Sequence, residues 1–392
     1  MRLRQFHIKG FKSIVEQTIT LGRVNCFIGA NGAGKSNVLE ALGVLGAAAD
    51  GRVCDEAMMR RGVRVGLPRL FKASFANVRT PPHIWLEAHG EPDAAFRVSL
   101  LNPLDRPALA WSFKTESLFS GDNEIVRRGV RSDRANLDGT RGLSALKVVE
   151  LDTRDAASRL VKVLQEYAIY TPNTLALRSL VADPYTRPPV GLVGGGLPEG
   201  FDALRKNLDE TLLDEVLDLI DWVSHVSATD VVGDLLSPSV PRAKNVLKFA
   251  DRFMAQSRNT LSAADASEGA LYVLFAAVLC LSPASPSIFA IDNIDSALNP
   301  RLVTRLVGRL AKWLAAANPD RQLLFTAHNP AVLDGLDIDD IDDVRLFAVE
   351  RNTEGHTVVR RIALTPGLAE ANKEYPLSRL WAMGNLGAVP NV

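Results

Sequence analysis

Cysteine is scarce. Cys26, Cys54 and Cys280 are the only three in 392 residues, an odd number at wide spacing that supports neither a disulfide framework nor a cysteine-rich metal site. A reducing, cytoplasmic setting is expected. Net charge is lacking too: 45 Lys and Arg stand against 45 Asp and Glu, so the whole molecule exerts no pull on nucleic acid or an anionic membrane, and any such role needs a local patch. No run approaches the ~18 apolar residues of a membrane span. The N-terminus carries Arg2, Arg4, His7 and Lys9 and has no apolar stretch followed by a cleavage site, so neither membrane insertion nor export is expected. The six histidines form no close pair at ligand spacing, which leaves no case for an independent metal enzyme. Internal repeats and low-complexity tracts are also missing. Apolar residues, by contrast, are plentiful at 47%, enough for a large core in a chain long enough for two or three domains.

Short β-type runs open the chain: Leu3, Phe6 and Ile8, then Ile14, Ile19 and Leu21, then Val24 to Ile28. Alternation resumes between about 70 and 115 (Phe71, Ala73, Phe75; Trp85, Leu86; Phe96, Val98, Leu100; Trp111, Phe113), with turn signals at Pro81, Pro82, Gly90 and Pro103, and predicts antiparallel strands. Residues 120–145 carry Arg127, Arg128, Arg131, Arg134 and Arg141 among Gly, Asp, Asn and Ser, which suits a solvated loop or, alternatively, a DNA backbone contact. Helical spacing follows at 156–167 and over 203–226, where Leu204, Leu208, Leu212, Val216, Leu217 and Ile220 share one face. A Pro- and Gly-rich linker separates the two. The last third predicts a helix at 268–282, a strand at 287–292, a helix near 300–317 and strands at 323–326 and 345–349. Strands alternating with helices imply a mainly parallel sheet covered on both faces, with ligands bound at the strand ends. The expected organisation is an N-terminal lobe at 1–119, a helical and loop-rich insertion at 120–245, and a C-terminal lobe at 246–392.

The segment 29–36, GANGAGKS, fits G-x-x-x-x-G-K-S between a strand and a helix. Its glycines let the backbone wrap phosphate oxygens, amide N–H groups and the helix N-terminus supply positive potential, Lys35 reaches the β- and γ-phosphates, and the Ser36 hydroxyl ligates Mg²⁺. Candidate nucleotide-binding residues are Gly29, Asn31, Gly32, Ala33, Gly34, Lys35, Ser36 and Asn37. Ile288 to Asp292 is an apolar strand ending in a carboxylate, as the second Mg²⁺ element requires, so Ser36 and Asp292 are the metal candidates.

These residues carry a family resemblance. The run DNIDSALN at 292–299 resembles the D-E-x-x-S-A-L-D segment of ABC-type ATPase heads, and His328 in TAHNP at 326–330 looks like their switch histidine. LS at 261–262 with DASEGAL at 265–271 is similar to the signature element in its S-x-G form, and FKSI at 11–14 before GANG at 29–32 is similar to the RecF-like start. The tail LSRLW at 377–381, with Gly384 and Gly387, resembles tails of predicted RecF-like ATPases. The likeness covers 1–45 and 260–350, and the middle resembles nothing specific. It implies an α/β P-loop NTPase of ABC-head type with ATP and Mg²⁺ as cofactors. It also implies a homodimer, or a higher even-numbered oligomer, in which Ser267 and Gly269 contact the γ-phosphate held by the opposite subunit and 296–299 line the interface.

Three departures bear on turnover. Where the family has a glutamate that polarises water, this chain has Asn293, so ATP is expected to bind well and be hydrolysed slowly unless Asp295 or His328 substitutes. No Gln occurs from Ser36 through Leu164, so the usual glutamine beyond the first strands cannot be assigned. Asn299 replaces an aspartate. The resemblance extends to OLD-type and Septu-type antiphage ATPases. It implies a nucleotide-gated scaffold or sensor; with about sixty residues after His328 there is no room for a fused nuclease domain, so a separately encoded nuclease or toxin is the expected effector. The alternative is a repair or recombination head that binds DNA directly. A transporter ATPase fits poorly, because those heads keep the glutamate and the glutamine.

Overall fold

The computed structural model describes all residues except 77–78, 92, 130–137, 232, 234, 238, 241, 339–342 and 387–392. Arg131, Arg134 and Gly387 therefore lie outside the described residues. Its strands are β1 (Arg2–Phe11), β2 (Ile14–Thr20), β3 (Val24–Ile28), β4 (His83–Glu91), β5 (Ala94–Leu101), β6 (Ser112–Ser120), β7 (Asn123–Arg128), β8 (Ala168–Tyr170), β9 (Val223–Thr229), β10 (Val246–Asp251), β11 (Thr260–Ser262), β12 (Ile288–Ile291), β13 (Gln322–Ala327), β14 (Val344–Arg351) and β15 (Thr357–Ile362). The helices are α1 (Lys35–Ala49), α2 (Asp55–Met59), α3 (Ser144–Val148), α4 (Ala156–Glu166), α5 (Thr174–Leu177), α6 (Leu197–Arg205), α7 (Glu210–Leu217), α8 (Glu268–Leu281), α9 (Pro300–Ala317), α10 (Pro366–Glu374) and α11 (Leu377–Ala382).

Two six-stranded sheets dominate. One is antiparallel, in the order β2-β1-β4-β5-β6-β7. The other runs β15-β14-β3-β13-β12-β8 and is parallel from β14 to β8, with β15 antiparallel at one edge. A small antiparallel sheet, β11-β10-β9, completes the set. Within 120–245, β7 extends the first sheet and β8 the second.

The side-chain period of a strand divides the interior into two cores. From β3, Val24, Cys26 and Ile28 enter one core and Phe27 the other; from β12, Phe289 and Ile291 enter the first, and Ile288 and Ala290 the second. Both faces being covered, these strands read as unbroken apolar runs. Helix α1 lies in the core between the sheets and is buried nearly all round, while α8 fills the opposite core. One buried side chain stitches the sheets together: Gln322 at the start of β13 accepts from the Leu3 amide at 2.6 Å and donates to the Leu3 and Gly22 carbonyls, each at 2.8 Å. No helix among the described residues is long and apolar enough to cross a membrane.

Three expectations of local structure need correction. The alternation Phe71, Ala73, Phe75 is not a strand: Pro68–Phe71 is a 3-10 turn, Phe71 packs edge-on to Phe11 and Trp111, and among the described residues of this stretch one bridge, from Lys72 to Phe11, is the only β pairing. The proline at its first position favours that tight turn. The apolar face over 203–226 is two helices and a strand, because Asp209 leaves helical geometry and its carboxylate caps the Thr211 amide, starting α7 afresh. Arg128 is not a solvated loop cation either. It is buried on β7, donates to the Gly139 and Arg141 carbonyls and stacks on Phe113, whereas Arg127 and Arg141 are exposed.

Candidate nucleotide-binding site

Parallel register puts the C-terminal ends of β3, β12, β13 and β14 on one edge: Ile28 pairs with Ala327 and Ala348, and Ile291 with Phe325. Loops 29–34, 292–299 and 328–330 leave from that edge together. The first is tightly backed. A Cβ on Gly29 would lie 2.0 Å from the Val349 carbonyl oxygen, and one on Gly34, at φ 107°, would lie 2.2 Å from Thr357 Oγ1. The hydroxyl of Thr357 donates to the Ala33 carbonyl at 2.7 Å and Arg351 Nε to the Gly32 carbonyl at 2.8 Å, so the β14–β15 hairpin braces the loop from behind. Helix α1 starts directly after it, so its free N-terminal amides and dipole face the space the loop encloses.

The side chains at this edge form a connected ring. Lys35 Nζ donates to the Gly29 and Ala30 carbonyls at 2.7 and 3.0 Å and meets His328 Nδ1 at 3.2 Å. Burial pulls the Lys35 ammonium down to about 8, against the opposing pull of Asp292 and Asp295, so it stays charged at neutral pH. An ammonium only donates, which makes Nδ1 of His328 the acceptor and leaves Nε2 to donate to Asn293 Oδ1 at 3.0 Å. Burial first, and Lys35 second, lower the His328 pKa, in keeping with that neutral tautomer. Ser36 Oγ lies 3.1 and 3.0 Å from the two carboxylate oxygens of Asp292, which also accepts from Thr326 Oγ1. A hydroxyl and a carboxylate converging in this way are hard oxygen donors suited to Mg²⁺.

Asn293 is held on two sides. Its amide donates to Thr326 Oγ1 at 2.8 Å, its side-chain oxygen accepts from His328, and its backbone takes φ 56°, a left-handed conformation that asparagine tolerates better than most residues. Asp295 is buried, and its Oδ2 accepts the His328 and Asn329 amides at 2.8 and 2.5 Å, which fixes the strand end that carries His328. Ser267 is exposed as the N-cap of α8, its hydroxyl accepting from the Ala270 amide. Among the described residues no hydrogen bond joins it to the phosphate loop. Gly269 packs against Ala297, Leu298 and Leu302, so the signature-like segment and 296–299 form one surface. Asn299 caps α9 through the Leu302 amide. Gln165, the first glutamine after Ser36, donates to the Ala49 carbonyl at the far end of α1 and is remote from Ser36.

Beside the phosphate loop lies a cavity of about 490 Å³ that the sequence did not disclose. Lys12, Ser13, Asn37, Arg64, Phe71 and Arg351 are among its lining residues, and Asn37 Nδ2 donates to Ser13 Oγ at 2.7 Å. Phe71 alternates in sequence as a strand residue would, and Arg64 and Arg351 belong to no motif.

Residues 1–56 match the family described as "AAA ATPase domain", and 185–334 match "AAA domain, putative AbiEii toxin, Type IV TA system". No curated protein matches the sequence. Among solved structures, an Smc head bound to the C-winged helix domain of ScpA is similar at TM-score 0.55 and 14% identity over 94% of this chain and 100% of that one. An Smc head with an extended coiled coil, bound to the C-terminal domain of ScpA derived from Pyrococcus furiosus, is similar at TM-score 0.53 and 12% identity over 95% and 99%. The chain has the fold of an Smc-type ATPase head. The mixed sheet and the antiparallel lobe are those of such a head, and the ATPase families matched over 1–56 and 185–334 imply nucleotide binding.

Proposed function

We propose that this head binds ATP with Mg²⁺ at residues 29–36 and Asp292, and that ATP holds two copies together as a slowly hydrolysing, cytoplasmic scaffold or sensor with a separately encoded nuclease or toxin as effector. The observation that carries the reading is the ring of Lys35, His328, Asn293, Thr326, Asp292 and Ser36 around the phosphate loop. It joins phosphate-binding, metal-binding and water-facing groups in one hydrogen-bonded set. In it Lys35 would meet the terminal phosphates, Ser36 and Asp292 would hold the metal, and the cavity at Lys12, Arg64 and Phe71 would take the base and ribose. Bound Mg²⁺ would neutralise phosphate charge. Ser267 is exposed beside the surface of 296–299 against which Gly269 packs, which supports contact with a nucleotide on a second copy.

Support for the effector comes from the toxin in the description of the family matched over 185–334 and from the ScpA subunit bound to both similar Smc heads. Direct DNA binding has less behind it, since Arg128 is committed to carbonyls and a ring face. Tagged protein purified with Mg²⁺ and ATP should retain, in stoichiometric amount, a partner with nuclease or toxin activity, and should release it on exchange into ADP. Recovery of the head alone, together with tight, salt-sensitive binding to duplex DNA, would favour the repair reading.

A further inference from the structure

We propose that Glu40 is a positioning residue for the nucleotide: its buried carboxylate holds Lys12 and Arg64 in the wall of the cavity beside the phosphate loop. The inference rests on the nucleotide reading of that cavity. Glu40 lies in the second turn of α1 and its side chain is only 3% exposed. A carboxylate is withdrawn from water only where partners compensate it. Here two cations from different loops do so. Lys12 pairs with Oε2, while the Arg64 guanidinium donates to Oε1 at 2.6 Å and the Arg64 amide lies 3.3 Å from the same atom.

Both cations line the cavity, whereas Glu40 does not. Lys12 takes φ 48°, a left-handed backbone that a lysine keeps only where its surroundings impose it. The surroundings are the Glu40 carboxylate, the Phe71 ring 5.1 Å from Nζ, and the Phe71 carbonyl, which accepts the Lys12 amide at 2.9 Å. Arg64 is 69% exposed, so its fork reaches toward the opening with its Nε end tied down. One anion and two cations leave a net positive charge on this wall, suited to a polyphosphate. Because Glu40 and the loop residues Lys35 and Ser36 share one helix, the carboxylate also sets the distance between the cavity cations and the phosphate loop.

Calorimetric titration of Mg²⁺-ATP, with melting temperature measured in parallel, separates this role from plain packing. Wild type should bind. Glu40→Gln should bind ~10-fold or more weakly, since a preset charge-assisted contact is lost. The double variant Lys12→Met/Arg64→Met should lose affinity and also melt earlier, because it strands a buried carboxylate. Adding Glu40→Gln to that pair should restore the melting temperature without restoring or further lowering affinity. Unchanged affinity in Glu40→Gln overturns the proposal. So does a triple variant weaker than the double by the factor seen in the single, for Glu40 would then act through α1 itself. If Glu40→Gln does not fold, Glu40→Asp takes its place: weaker binding supports the role and unchanged binding overturns it. A wild type that fails to bind ATP overturns the nucleotide reading and this inference with it, whereas a wild type that binds and a Glu40→Gln that binds equally overturns this inference alone.

Discussion

Bound ATP should persist for many minutes in the wild-type protein, and Asn293→Glu should shorten its lifetime by ~10-fold or more, within the range that a placed general base contributes. The amide of Asn293 can hydrogen-bond a water but cannot take its proton, and its oxygen already accepts from His328 Nε2. The two residues able to substitute are both engaged: His328 Nδ1 faces the Lys35 ammonium, and Asp295 is buried against two backbone amides. ATP would then act chiefly as a ligand that stabilises the closed assembly by mass action. The left-handed φ of 56° at Asn293 makes glutamate cost ~1 kcal/mol there, so single-turnover hydrolysis should be read beside the melting temperature of each variant. Brisk wild-type hydrolysis that falls in Asp295→Asn or His328→Ala would identify a substitute base. Brisk hydrolysis insensitive to both would remove Asn293 from the water site altogether.

A second large effect is expected at Ser267. This serine is exposed at the start of α8, offering a hydroxyl, N-terminal amides and a helix dipole to an anion that its own subunit does not supply through any hydrogen bond among the described residues. Ser267→Arg should leave the ATP affinity of the isolated subunit, measured below the concentration at which it associates, within about twofold of wild type, since no hydrogen bond among the described residues joins Ser267 to the phosphate loop of its own chain, yet abolish ATP-dependent association in sedimentation. Wild type should shift to a dimer with Mg²⁺-ATP at micromolar protein. Equal association in the variant would show that the interface lies elsewhere.

The fold class and the phosphate edge were legible because period-2 and period-3.6 patterns, glycine chemistry and strand-end carboxylates are local signals. Helix α9 begins at Pro300 with Asn299 as its cap, a start the sequence marks plainly. What escaped reading is non-local. The hairpin of β14 and β15 braces the phosphate loop through Thr357 and Arg351, more than 300 residues away in sequence. Glu40 reads as one polar position in a helix until Lys12 and Arg64 are folded onto it. Phe71 alternates as a strand residue would, and only its packing on Phe11 and Trp111 makes it a cavity wall. Asp209 is a local exception: an aspartate in the midst of an apolar face is a helix start as readily as a surface position, and here it caps the Thr211 amide.

The central claim, that residues 29–36 hold the phosphates of Mg²⁺-ATP, is tested most directly by calorimetric titration of wild type against Lys35→Ala. The ammonium lies within 3.0 Å of two carbonyls of the loop itself and would turn from them to the phosphates, a charge-assisted contact whose loss should weaken binding by at least ~10-fold while the fold is kept. One ATP bound per chain by wild type, and markedly weaker binding by the variant, is the predicted result; equal affinity in the two proteins would contradict the account.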